Sequence, residues 1–271
     1  METFLNIFLL FLQISFYPIA VFVICGLIIG FCRYLVLKLC GHSGRGIIYV
    51  TSIVGTPVHE LGHATMCLLF GHSITDMRLW CPLRGEGTLG FVEHTYNKKN
   101  PYKLLGNMFI GMGPIFSGLL FTFLVMFLCF PDAFDFHIGS VFTGGSNITT
   151  FFEIFTSGFD MLRDMFSDST HNGYIKALGI ILIISTCLHI SLSVEDIKGS
   201  LSSLPLYFVI TLLFTVITYF VGGQFEYSVI SGLEAWISIG VALYLPVIVA
   251  SIVILIFSFI FYIIRSILHK V

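Results

Sequence analysis

The apolar runs of this chain are too long and too continuous for a water-soluble fold. A helix needs about 20 predominantly apolar residues to cross a bilayer. Six stretches reach or approach that length: 4–37, 47–70, 104–130, 174–192, 204–221 and 241–267. The first exceeds one straight crossing and contains Pro18, which predicts a kinked, tilted helix or an interfacial piece followed by a span. With 56% hydrophobic and only 10% charged residues, the chain cannot cover a soluble exterior with polar groups. Barrel strands would alternate apolar and polar residues, whereas these runs are unbroken. The expected fold is therefore an all-α integral membrane protein, because a helix satisfies its own backbone hydrogen bonds in lipid. It should carry about six transmembrane helices.

The polar segments refine this outline. Between the second and third runs lies an insert, 71–103, in which Met77–Trp80 and Thr88–Val92 flank Gly85-Glu86-Gly87. Short runs around a glycine turn predict a small β-hairpin at the membrane surface. The 131–172 connection places phenylalanines on one helical face and Asp160, Arg163 and Asp164 on another over 151–166, which reads as an interfacial helix. A second such connection is 222–240. With no repeat or low-complexity linker, residues 1–271 read as a single polytopic domain, with a core over about 45–202 and C-terminal spans over 203–271. The N-terminus lacks the basic start of a secretory signal and reads as retained. Placing both termini in the cytoplasm puts more basic residues inside than outside. The net charge of −2 offers no electrostatic footprint for nucleic acid. Seven scattered cysteines without a CxxC pair read as small apolar residues.

One apolar run contains chemistry. His59-Glu60-Leu61-Gly62-His63 places two histidines at i and i+4, on one helix face, where both can reach one metal ion. Glu60 is placed to act as general base on a water at that ion. Ionisable residues at bilayer depth are costly and mark function. The plain alternative is a polar contact between packed helices. Zinc in a hydrolase takes three protein ligands and a water. Asp196, after the fourth run, is the favoured third ligand, with His189 as rival or as a group supporting the ligands or touching substrate. Asn107 is a candidate for a substrate carbonyl contact, or else for a structural bond between helices. Its neighbours Gly106, Gly111, Gly113 and Gly118 read first as a surface for close helix packing.

These residues resemble the site-2 protease family of intramembrane zinc metalloproteases. The resemblance rests on His59–His63 in one span, Gly113-Pro114 in the next and Asp196 near the end of a later one. It covers about residues 51–199. It implies one Zn²⁺ per chain held by His59, His63 and Asp196, with Glu60 as base. It also implies a transmembrane protein as substrate, the lipid bilayer as setting, and room for a regulatory membrane partner. The chain departs from the family where an Asn and a Pro usually precede an Asp-Gly pair: His189 and Ser191 stand there, and Ile197 follows Asp196. It also lacks a PDZ-like insert. Two other readings compete. One is a membrane zinc protease of another HExxH family, using a downstream Glu such as Glu153. The other is a non-catalytic protein that binds membrane segments or transports metal, although ionisable residues on several spans, which a transporter would need, are almost absent.

Overall fold

A computed structural model describes residues 2–81, 89–133, 163–167 and 170–268. Helix α1 (Glu2–Cys40) runs unbroken through Pro18, so the first apolar run is one helix. At 39 residues it is about 58 Å long, well beyond a bilayer core of roughly 30 Å. Gly41, at φ 54°, turns the chain into α2 (His42–Leu69). That backbone region strains residues with a Cβ and is open to glycine. Strands β1 (Ser73–Arg78) and β2 (Phe91–Thr95) pair antiparallel, Ser73 opposite Thr95 and Arg78 opposite Phe91. The hairpin exists, with β1 starting and ending earlier, and β2 starting and ending later, than the sequence pattern predicts. Its Gly85-Glu86-Gly87 tip lies outside the described residues.

Helix α3 (Pro101–Cys129) begins at a sharp signal: Asn100 accepts from the backbone N–H groups of Tyr102 and Lys103, and Pro101 fills the first helical position. Helix α4 (Gly173–Cys187) is capped by Asn172 in the same way. A short non-helical stretch leads into α5 (Val194–Leu201), followed by α6 (Leu204–Val221). Two glycines at positive φ, Gly222 and Gly223, separate α6 from α7 (Gly223–Leu268). The 222–240 segment is therefore not a separate interfacial connection. It is the first part of a 46-residue helix that continues into the last apolar run, because Gln224, Glu226 and Glu234 are polar without breaking a helix. The predicted interfacial helix is described only from Arg163 on, and Glu153 lies outside the described residues.

Among the described residues, four helical stretches are long and apolar enough to cross a membrane: α1, α3, α6 and Val247–Ile267 of α7. Helix α4 is short, at 15 residues. Helix α2 has the length but carries Arg45, Thr51, Ser52, Thr56, His59, Glu60 and His63. Its polar groups are inside: Ser52, Thr56, Glu60 and His63 are buried, while Val50, Ile53, Leu61 and Leu68 are exposed. A water-soluble helix has the opposite arrangement. The same inversion runs through the molecule, whose exposed surface is dominated by Leu, Ile, Phe and Val. This is a helical membrane protein.

The helices meet through small and hydroxylated residues, as expected where lipid removes the hydrophobic drive for association. Ser15 of α1 donates to Thr211 of α6 at 2.8 Å, and the Tyr207 hydroxyl donates to the Ser15 carbonyl. The apolar core gathers Ile29, Ile115, Phe130, Ile190, Tyr244 and Val247 from four parts of the chain. Helix α2 packs chiefly on α3 and also against α4, and α5 packs against α3.

Candidate metal centre

Close approach of α2 and α3 builds the site. A Cβ on Gly62 would run into the Gly113 carbonyl and the Ser117 hydroxyl, and one on Gly113 would meet the Gly62 backbone. A Cβ on Gly111 would strike the Asp196 carbonyl and Ser200, and one on Gly55 the His189 ring. The glycines of α3 thus serve packing, as the sequence favoured, and they bring Asp196 to α2. Ser117 locks the contact by donating to the Val58 carbonyl at 2.7 Å.

On that frame, His59, His63 and Asp196 offer ligand atoms that all lie within 4.8 Å of one another. The two Nε2 atoms are 3.2 Å apart. His63 Nε2 is 3.2 Å from Asp196 Oδ1, and His59 Nε2 is 3.8 Å from Oδ2. A tetrahedral zinc with bonds of about 2.0–2.1 Å spaces its ligands roughly 3.3–3.4 Å apart. The spacing fits such an ion. So does the chemistry of the donors. His59 Nδ1 donates to the His189 carbonyl and His63 Nδ1 to the Ile110 carbonyl, both at 2.7 Å. A carbonyl can only accept, so Nδ1 carries a proton in each ring, and in the neutral rings each Nε2 turns a lone pair toward the other and toward a carboxylate. Three acceptors converging without a donor between them suit a cation.

Asp196 is oriented by its own helix. The Ser193 hydroxyl accepts from the Asp196 N–H at 3.1 Å, and Asp196 Oδ2 accepts from the Ser193 N–H at 2.7 Å. This reciprocal capping box starts α5 and leaves Oδ1 facing His63. Asp196 therefore lies after the end of α4, in the first turn of α5, and Glu195 beside it is exposed. Removing such a support typically costs 10–100-fold in metal affinity. Ser193→Pro fits the Ser193 φ of −76° and deletes both the hydroxyl and the N–H that Asp196 Oδ2 accepts from. It should accordingly raise the dissociation constant for added Zn²⁺ by roughly that factor, measured by competition with a chromogenic chelator. Unchanged affinity would show that the cap does not orient the ligand.

The remaining candidates fall into place around this centre. Glu60 is buried, at 7% exposure, and lies close enough to Gly90 that a Cβ there would touch its Cγ at 2.9 Å. The approach to β2 therefore covers Glu60. His189 turns its ring to Thr51 (Nε2 to Oγ1, 3.1 Å) and Thr56 (Nδ1 to Oγ1, 3.5 Å), away from a ligand position. Its contribution to His59 is through its carbonyl. Asn107 donates to the Tyr96 hydroxyl at 2.6 Å and to Ser202 at 3.2 Å, tying α3 to the hairpin and to the turn after α5. That is the structural role among the two the sequence allowed. Tyr96 stacks on His72, whose Nδ1 lies 3.0 Å from His94 Nδ1 and whose Nε2 donates to the Lys103 carbonyl. Burial holds both of these imidazoles below their ordinary range. Sequence reading missed the Ser193 cap and the two carbonyl acceptors. Only the first left a signal, Ser193 three residues before an acidic residue. No family model matches the chain, no curated protein matches its sequence, and no solved structure matches its fold.

Proposed function

We propose that this protein is an intramembrane zinc metalloprotease that cuts peptide bonds in or near the membrane-spanning segments of other proteins, with a site-2 protease-like arrangement of residues. The observation that carries the reading is the convergence of His59, His63 and Asp196 beside a buried glutamate, inside a bundle whose exterior is apolar. In this reading α2 and α4 cross the membrane with the four longer apolar stretches, giving six crossings. Helix α2 supports this with its polar face turned inward and its apolar face outward.

His59, His63 and Asp196 would hold the ion, which when bound supplies a more acidic water and an electrophile for the carbonyl oxygen. The chain's own residues do the rest. The Ile110 and His189 carbonyls keep each Nε2 free and aimed inward. The Ser193 cap keeps the Asp196 carboxylate turned to the same point. Glu60 takes a proton from the attacking water as the carbon–oxygen bond forms, and hands it to the amine nitrogen as the carbon–nitrogen bond breaks. Gly90 and its neighbours limit bulk water around that carboxylate.

Metal removal tests the reading. The detergent-purified protein should contain about one zinc per chain, and His59→Ala and Asp196→Ala should lose it, by elemental analysis. Chelation should stop cleavage of a single-span substrate found by comparing membrane proteomes of cells carrying the wild-type chain or the Glu60→Gln variant, and zinc should restore it. Cleavage that survives complete metal loss would overturn the proposal, as would a wild-type chain that takes up no metal under zinc-supplemented purification.

A further inference from the structure

Beside the metal centre lies an apolar cleft of about 980 Å³, walled by α1, α3, the segment before α5, α5 itself and the start of α6. The cleft and the metal centre share their walls. Met108 and Met112 line the cleft on either side of Ile110, whose carbonyl holds His63. Ser191 lines it two residues after His189, whose carbonyl holds His59. Whatever occupies this cleft lies against residues two positions along the chain from the supports of the reacting groups.

Among the described residues, the cleft has one charged side chain in its lining, Arg33 of α1. A guanidinium has five N–H donors. Here Nη1 donates to the Ser191 hydroxyl at 2.6 Å, and the buried Nε has no acceptor. Each ion pair among the described residues joins other partners, so no carboxylate there neutralises Arg33. Arg33 is seven residues, about 10 Å, inside the end of α1 at Cys40. Its buried Nε is costly to leave without an acceptor unless something else pairs with it.

We propose that Arg33 binds a carboxylate on the substrate, so that the preferred substrate is an apolar helical segment carrying one Asp or Glu close to the bond that is cut. This deepens the protease reading and rests on it. The charge of the cleft selects an anionic group, its apolar walls select a hydrophobic body, and its shared walls bring that body to the metal centre. An acidic side chain in lipid is itself uncompensated, so both charges gain from meeting. Arg33 offers the fork geometry that suits a carboxylate, with Ser191 fixing one tine.

The test measures binding apart from cleavage. The probe is a fluorescent, 24-residue, leucine-rich helical peptide in neutral detergent micelles, with a central Asp, Asn or Lys. The full-length Glu60→Gln protein should bind the Asp peptide roughly tenfold to a hundredfold tighter than the Asn peptide. Arg33→Gln in that background should abolish the difference at unchanged zinc content, which excludes simple misfolding. Arg33→Glu should move the preference to the Lys peptide, an exchange that a merely structural arginine would not produce. Equal binding of Asp and Asn peptides, or a preference that survives Arg33→Gln, overturns the proposal. So does displacement of all three peptides by phosphatidylglycerol, but not by phosphatidylcholine, in an Arg33-dependent way, since that occupant would be a lipid. Arg33-dependent binding without cleavage by the wild-type chain would remove the protease reading and keep the carboxylate site. Cleavage that is indifferent to the acidic residue would do the reverse.

Discussion

Replacing Glu60 with glutamine should reduce cleavage by at least roughly 100-fold, the lower range for losing a positioned general base, while leaving the metal in place. Glutamine keeps the shape and fills the space against Gly90, but it cannot take a proton. Glu60 is not one of the three converging ligands, so zinc content should match the wild type. The measurement pairs a cleavage rate with elemental analysis on the same preparation. A variant with full activity would remove Glu60 from the mechanism. A variant with no zinc would show that the carboxylate belongs to the metal's ligand set.

The second large effect is structural. Gly62→Leu should disassemble the site, because any side chain there meets the Gly113 carbonyl and Ser117 before the helices reach their native separation. Overpacking a tight interior costs about 1–3 kcal/mol where neighbours can shift, and here the neighbour is backbone, so the cost should lie at or above the top of that range. Gly46→Leu is the control on the same helix, since a Cβ there meets nothing within 4 Å. It should fold normally and bind metal. Comparing the two by yield of monodisperse detergent-solubilised protein and by zinc content checks the claim. Gly62→Leu with wild-type zinc would mean that α2 and α3 need not touch.

How far the sequence revealed this architecture depends on whether the deciding interaction is local. The spacing of His59 and His63 is local, because a helix turns i and i+4 to one side whatever surrounds it. The end of α6 was also readable, since Gly222 and Gly223 interrupt the apolar pattern there. Asp196 was selected as a carboxylate near a span end, yet the feature that orients it, a capping box begun by Ser193, is equally local and was legible in the same residues. The failures are tertiary. Polar residues at 222–240 resembled a connection because nothing in the local pattern says that α7 continues through them. For Asn107, beside the glycine stripe, the local pattern left a substrate contact and a structural bond equally open. Its actual partners, Tyr96 and Ser202, are 11 and 95 residues away along the chain. The acceptors for His59 and His63 could not have been read at all, since any residue supplies a carbonyl.

That last point governs how the centre would answer to genetic change. In many zinc sites the ring nitrogen opposite the ligand atom is held by a carboxylate side chain, which a single codon change deletes. Here Ile110 and His189 hold the two rings through the main chain. A saturation screen would find no substitution at either position that erases the acceptor itself, only ones that disturb packing. Sensitivity would instead concentrate at Gly55, Gly62, Gly111 and Gly113, where bulk moves one backbone relative to another. The aim of the two imidazoles is inherited from the separation of the helices, so their tuning passes through residues that carry no chemistry of their own.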